Sequence, residues 1–441
     1  MPIVSREDFS TNLEFESLTN ERFCLVTSLC ALTNLQVLNR PADDLVRETI
    51  RVRQTFDYVE SPTLDSVHIS FFLFACFFGL NIHNTAWFYL REAITFAQLI
   101  GLDSEESYSH LTNEEEVAYR RRTFWVLFVT ERAYAIQRHH SLSMQPSIDV
   151  PSSENSCLQE DMKGFNYMVD LWSQIDSNFL SWWNDKRQPI TPDWMNGLHY
   201  RLCHCLPENL NISEVQEADI LISQQWLRTI LWQLSTSRML LSSNSEHEAL
   251  KFSFPIKISH DLLQITSRVS EETLEVHGIG ICEKVFEVAS TLVDVMVCDP
   301  AMQDNQLAQT ADRNLHALLN LLARLRNGKS HWHAIILEKI KVSMPRFIAS
   351  ATPERETSKA PSSLSREDSW RNDSLSQSSS PRSLPSHTHL STNQGSRSPS
   401  GSSPQTWVRY SQVGDVQQLQ RRESPFSPDI RLPLYHGALD T

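Results

Sequence analysis

Three short constellations in this 441-residue sequence hold side chains of the types that do chemistry. Cys203, His204 and Cys205 offer two thiols and an imidazole, donors that a zinc ion takes. Their spacing is wrong for it. Adjacent residues do not easily all turn to one ion, and no C-x-x-C or H-x-x-x-H pair stands nearby. His331 and His333 flank Trp332, two positions apart rather than the four that put two imidazoles on one helix face. Gly278 and Gly280 make a G-x-G without the third glycine of a phosphate cradle, so a helix interruption is the expected role. No H-E-x-x-H, G-x-S-x-G or P-loop occurs. The sequence therefore points to no catalytic site, no metal and no cofactor.

Arg120, Arg121 and Arg122 raise a nucleic-acid reading. Three consecutive residues fan over most of a helix circumference and make no single groove-facing stripe. Glutamates one turn earlier offset their charge. The net charge of −14 also argues against a chain that binds nucleic acid by itself. A structural ion-pair role is the favoured reading. His139 and His140, next to Arg138, read as a solvated helix end where cations suit the dipole.

The elements that carry these arginines run from Ala86 to Val150. Trp87, Leu90, Ile94, Ala97 and Ile100 recur at helical spacing and share one face. Gly101 follows as a left-handed stop. Thr112 and Glu115 give a T-x-x-E capping box for a second helix, and Glu114, Glu115 and Glu116 suit its positive end. Glu116 stands four residues before Arg120, the favourable order for an ion pair. Phe124, Leu127 and Phe128 build an apolar stripe. Pro146 and Pro151 mark an extended strap beyond the helix.

This block resembles the regulatory middle region of fungal zinc-cluster transcription factors. The residues that carry the likeness are Trp87, Leu90-Arg91-Glu92-Ala93, Ala97-Gln98, Gly101-Leu102, Arg120-Arg121-Arg122, Phe124-Trp125, Glu131-Arg132 and Asp149-Val150-Pro151. It departs mildly, with Ala118-Tyr119 between the glutamates and the arginines and Glu131 where the family usually has Asp. A second stretch, Phe254 to Val295, is similar to the subset that controls sugar-utilisation genes. The likeness runs from Phe23 to Pro345. It implies an all-α regulatory body in the nucleus, working with protein partners of a transcription complex and responsive to a small-molecule effector. The family touches DNA through six cysteines that hold two zinc ions, and these 441 residues contain no such cluster. The expectation is a regulatory body without its own zinc cluster. It would act through another DNA-binding protein or be a shortened product of a longer factor. Its genes would serve carbohydrate utilisation or a biosynthetic cluster of secondary metabolism. A cytosolic helical scaffold, a metabolite-binding protein outside transcription and a helical enzyme stay open as alternatives.

Composition suits a large helical protein, with 40% hydrophobic residues and only 11 glycines. The eight cysteines are scattered and read as buried free thiols in a reducing compartment. Arg6, Glu7 and Asp8 interrupt any secretory start. His68 to Leu80 is charge-free but too short to span a membrane, so a buried core helix is expected. Further helices are expected over Glu21–Leu38, from Pro41 to about Phe56, over Asn166–Trp183 and Ile220–Leu241, after Pro255, and over Leu315–Leu325. The domain reading is a polar lead over 1–18, a helical regulatory domain over 19–348 and a Ser/Pro-rich tail over 349–441. The tail is too poor in large apolar side chains to offset its ordering entropy and is expected to be disordered. Within it Ser380, Ser398, Ser403, Ser424 and Ser427 each precede proline. Linker composition accounts for them, and a phosphorylated regulatory tail is the sharper alternative.

Overall fold

Capping chemistry sets most of the helix boundaries. In this computed structural model the described residues are 3–4, 18–38, 40–151, 159–185, 189–298, 305–326 and 331–344, all within one compact unit, Met1–Ser350. Among them the chain is all-α, with no strand. The five tail serines lie outside the described residues, as does Cys157.

The N-terminal part comprises α1 (Asn20–Gln36), α2 (Asp43–Arg53), α3 (Leu64–Gly79), α4 (His83–Leu99), the short α5 (Glu105–Tyr108) and α6 (Glu114–Arg138). The middle has α7 (Gln159–Ser173), α8 (Ser177–Asn184), α9 (Pro192–His204) and α10 (Glu214–Ser237). The C-terminal part has α11 (Phe254–Thr266), α12 (Glu271–Glu275), α13 (Ile279–Cys298), α14 (Asn305–Arg324) and α15 (His333–Ser343).

Each part buries its own apolar core. The first packs α1 to α6 around Leu73, Leu90, Ile94, Phe124 and Phe128. The second gathers Trp172, Phe179, Leu198, Trp226 and Ile230. The third gathers Phe254, Ile258, Leu292, Leu315 and Ile336. Two long helices join them. α6 runs from the first core into the second, and α10 serves the second and third, so α10 is buried on most of its circumference. α7 approaches α10 closely at Gly164, where a Cβ would stand 2.5 Å from the Gln216 side chain. That side chain donates to the Asp161 carbonyl at 2.8 Å. The first and third parts also meet at a polar joint. The last turn of α6 gives Arg138, whose Nη2 donates to Glu283 of α13 at 3.1 Å and lies 3.2 Å from Nε2 of His83. Burial pushes the Glu283 carboxyl up to about 7 despite that guanidinium.

α3 is the buried core helix that its apolar run implies. Thr63 and Ser66 form a capping box at its start, and Asn81 in left-handed conformation (φ 59°) follows its end. Sixteen residues at ~1.5 Å each fall short of a bilayer core. No described helix is long and apolar enough to cross a membrane.

Several boundaries differ from those read in the sequence. Asn113, not Thr112, caps α6: its side chain accepts from the amides of Glu115 and Glu116, one residue nearer than the T-x-x-E pattern places the start. The expected helix over Asn166–Trp183 is two, because Asp176 caps a fresh start by accepting from Phe179 N at 2.7 Å. Pro41 lies outside α2, whose cap is Ala42. In α1 the buried face is Cys24, Leu25, Val26, Thr27, Ser28 and Ala31, while Val37 and Cys30 are exposed. The cysteines divide as well. Cys24, Cys76 and Cys282 are buried, with thiols pushed up to about 11, 12 and 12 by desolvation; Cys203 and Cys205 are half-buried, and Cys30 and Cys298 are exposed.

Candidate functional site

The family-like block converges on one feature, the extended strap from His140 to Pro151 that folds back over α4 and α6. Its anchors are the paired acid and base of α6. Glu131 is fully buried and accepts from Ser143 N (2.9 Å), Ser143 Oγ (2.6 Å), Met144 N (3.0 Å) and Arg91 Nη1 (3.0 Å). Arg91 also donates to Ser143 Oγ. Arg132 is equally buried but meets carbonyls rather than a carboxylate. Its Nε donates to Ile175 O (2.9 Å), Nη1 to Phe128 O and Nη2 to Met144 O, and its guanidinium lies 3.2 Å from the Phe128 ring centroid. Burial lowers it to about 10, so it keeps its charge at neutral pH. One side chain thus ties the strap to the break between α7 and α8.

The far end of the strap is held by Arg121 and Trp125. Arg121 makes a two-pronged pair with Glu105 at 2.6 Å per arm and donates to Asp149 O at 3.0 Å. Trp125 Nε1 donates to the same carbonyl at 3.1 Å. Glu105 in turn accepts from Asp149 N, and Ser147 Oγ donates to Asp103 O. The Arg121 guanidinium holds the Glu105 carboxyl below the usual carboxylate range.

Beneath the strap lies a cavity of about 140 Å³. Ala97, Phe124 and Met144 give it buried apolar walls. Gln98, Asp103 and Gln145 surround them with polar groups, together with Ser143 and Ser147. Gln98, Gln145 and Ser147 at its rim are exposed to solvent.

The remaining motif residues support these walls. Glu92 pairs with Arg53 at 2.6 Å, both bonding Ser70 Oγ at 2.8 Å, which locks α4 to α2 and α3. Trp87 stacks on His140 at 4.0 Å between centroids, so His140 is a ring-packed strap residue and not a solvated helix end; His139, at the exposed left-handed cap (φ 56°), is closer to that reading. Gly101 takes φ 73°, which only glycine adopts without strain, and turns the chain out of α4.

The three consecutive arginines have three different fates. Arg120 pairs with Glu116 at 2.9 Å, the expected i, i+4 contact, and Arg121 pairs with Glu105. Arg122 departs from the ion-pair expectation. It is buried over the Tyr119 ring (4.3 Å) and near Met162 Sδ (3.8 Å), with no carboxylate at ion-pair distance among the described residues. None of the three presents a free cation to a phosphate.

The weaker constellations are dispersed. Cys203 Sγ lies 3.6 Å from His199 Nε2, His204 Nδ1 2.8 Å from Tyr200 O, and Cys205 Sγ 3.6 Å from Leu202 O, so the three side chains face different neighbours. His331 packs edge-on to Trp332. Gly278 interrupts the chain between α12 and α13 with φ 62°, as expected. No group of three His, Cys, Asp or Glu among the described residues is arranged to hold a metal ion. The sequence reading missed Asp103, Ser143 and Gln145 of the cavity wall and Glu105's hold on the strap, polar positions with no spacing signal, and it marked Gln98 only as part of the family likeness.

The described residues thus form an all-α body with an extended strap over α4 and α6, and comparison with known proteins places it. The profile described as fungal specific transcription factor domain matches residues 1–279, and the chain belongs to that family. Among curated relatives, it is 26% identical over 314 residues to a probable sucrose utilization protein of Candida albicans, covering 66% of this chain and 61% of the relative. It is 27% identical over 315 residues to a maltose fermentation regulatory protein of Saccharomyces cerevisiae, covering 67% and 64%. It is 24% identical over 294 residues to a respiratory transcription factor of the same yeast, covering 65% and 60%. The chain thus spans less than two thirds of the length of these relatives. No solved structure matches it.

Proposed function

We propose that this chain is the regulatory body of a transcriptional regulator of carbohydrate-utilisation genes, acting in the nucleus with protein partners of a transcription complex. One observation carries the reading: the family match over residues 1–279 covers α1 to α12 with the strap and its cavity, and relatives aligned over two thirds of the chain are named for sucrose and maltose use. The body responds to a small-molecule effector and passes its state to partners through the strap and α6. It reaches DNA indirectly, through another protein or through a zinc cluster that these 441 residues do not contain. Arg120, Arg121 and Arg122 are committed within the fold, which supports a structural rather than a DNA-contacting role. The tail serines Ser380, Ser398, Ser403, Ser424 and Ser427 serve as phosphorylation sites that alter partner contacts by adding charge. Mass spectrometry of the native protein is expected to find them modified in at least one growth condition; an unmodified tail under all conditions refutes that part.

The test of the main reading is a reporter assay with the full chain fused to a heterologous DNA-binding domain. Reporter output that depends on the carbon source, with nuclear accumulation of the unfused chain, is the expected result. Cytosolic retention and a silent reporter favour a scaffold. Turnover of a metabolite by the purified chain favours an enzyme.

A further inference from the structure

The polar joint between the first and third parts is loosely made. No helix of the first part packs along a helix of the third. The two are joined by Arg138, which donates to Glu283 at 3.1 Å, and by Arg326 Nη1, which donates to Val37 O at a long 3.5 Å. Four buried polar atoms at the joint lack a hydrogen-bond partner: Nδ1 of His83, Nε of Arg138, Oε2 of Glu283 and Nε1 of Trp332. Trp332 reaches the joint through Phe286, one turn along α13 from Glu283, with ring centroids 4.8 Å apart. Arg138 Nη2 can only donate to Nε2 of His83, so the neutral ring carries its proton on Nδ1. Three of the four unmatched atoms are therefore N–H donors. Each buried group left unmatched favours a state in which water reaches it.

The fourth atom is the informative one. An ionised carboxylate beside a guanidinium takes two prongs, as Glu105 does from Arg121. Glu283 takes one. Its Oε2 and the Nε on the same edge of the Arg138 fork both stay unmatched, as they do when Oε2 bears a proton and faces another donor.

The groups around Glu283 leave few other sources of charge change near neutrality. On α4, burial pushes His83 down to about 4, and His331, which faces it, is lowered by burial as well. On α6, burial pushes Tyr134 up to about 12, Gln137 is neutral, and the Arg138 guanidinium keeps its proton. On α13, Lys284 is spent on Asp219 and Ser223 of α10, and Asp294 on Lys339 of α15. Glu287, one turn beyond Glu283, is a second carboxyl raised by burial, and it accepts from Gln233 Nε2 at 2.5 Å.

We propose that the Arg138–Glu283 joint is a proton-operated latch: protonated Glu283 keeps the first and third parts closed on each other, and loss of that proton opens the joint to water. Burial raises the carboxyl from 4.5 to about 7 in the closed joint, and opening returns it to water. The closed state therefore holds the extra proton. Closure is favoured in acid and weakens as pH rises towards 7, with the opening constant climbing about tenfold per pH unit and levelling off above. The latch goes beyond the regulatory reading and does not rest on it.

Hydrogen exchange of the full chain, read by mass spectrometry at about pH 5.5 and about pH 7.5 and corrected for intrinsic rates, tests it. The peptides to follow cover the last turn of α6 and the first turns of α13, with α3 as the reference for global unfolding. Expected are joint amides less protected than those of α3 at both pH values, losing about tenfold or more of their protection from the lower to the higher. Glu283→Gln, which cannot ionise, should flatten that dependence, and Glu287→Gln should keep it. Joint amides as protected as α3 throughout would mean that the parts separate only on global unfolding, and would overturn the latch. So would joint protection independent of pH, a dependence that survives Glu283→Gln, or one that Glu287→Gln abolishes. The wild-type comparison alone decides the first two outcomes, whether or not either variant folds.

Discussion

Replacing Glu131 with Ala removes the buried carboxylate on which the strap is hung. It strips acceptors from two strap amides, Ser143 N and Met144 N, and from the Arg91 guanidinium. An unsatisfied buried N–H costs ~1–3 kcal/mol. Arg91 is 38% exposed, regains water and adds under ~1 kcal/mol. The sum is about 2–7 kcal/mol, a range that spans the cost of breaking one side of a buried pair and a large share of the ~5–15 kcal/mol that holds a domain together. Urea unfolding gives the global cost. Hydrogen exchange gives the local one, because Ser143 and Met144 amides should lose protection before the α3 and α4 amides do. Glu131→Gln, which keeps one oxygen in place, should cost about 1–3 kcal/mol. If Glu131→Ala shifts stability by under ~1 kcal/mol and leaves Met144 exchange unchanged, the carboxylate does not hold the strap.

Four further outcomes follow from neighbouring contacts. Arg121→Ala should cost about 1–2 kcal/mol after discounting for the 40% exposure of Glu105, and should leave any DNA association of the assembled regulator intact at temperatures where the variant is folded; a gel-shift loss there contradicts the structural role. Glu105 is depressed when folded, chiefly by Arg121 and in part by the Asp149 amide, so its contribution is present above its unfolded pKa and lost as pH falls through the folded one; an acid unfolding series should show a smaller loss in Arg121→Ala than in the wild type. Glu283 is raised from 4.5 to about 7, so its contribution is full below pH ~4.5 and declines as pH rises towards 7; measured against Glu283→Gln, the wild type should lose on the order of 2–3 kcal/mol across that window. Gly101→Ala forces a side chain into φ 73° with its Cβ 3.3 Å from Ser107 Cβ, and a thermal melt should register a loss of about 1 kcal/mol or more.

What could be read in the sequence was what lies within a few residues. Glu116 and Arg120 are helix neighbours, and the pair forms as their spacing implies. The apolar run of α3 and the stop at Gly101 are likewise local. The strap's attachments are not. Arg91 and Glu131 stand 40 positions apart and Arg53 and Glu92 39 apart, and only folding brings them together. Arg120, Arg121 and Arg122 look alike in sequence but differ in which helix face the first core covers. The Trp-rich run over Asn166–Trp183 kept a helical pattern across a break that one capping aspartate decides. Asp103 and Gln145 carried no signal, because what a polar loop residue lines is visible only when its neighbours are known, and Gln98 stood out only through the family likeness.

The most direct measurement is reporter output from the full chain fused to a heterologous DNA-binding domain, with and without a fermentable disaccharide, alongside the Glu131→Ala fusion at matched protein level. A regulatory body read through its strap predicts sugar-dependent transcription from the first and loss of the sugar response in the second. Equal output with and without sugar from the wild-type fusion would contradict it.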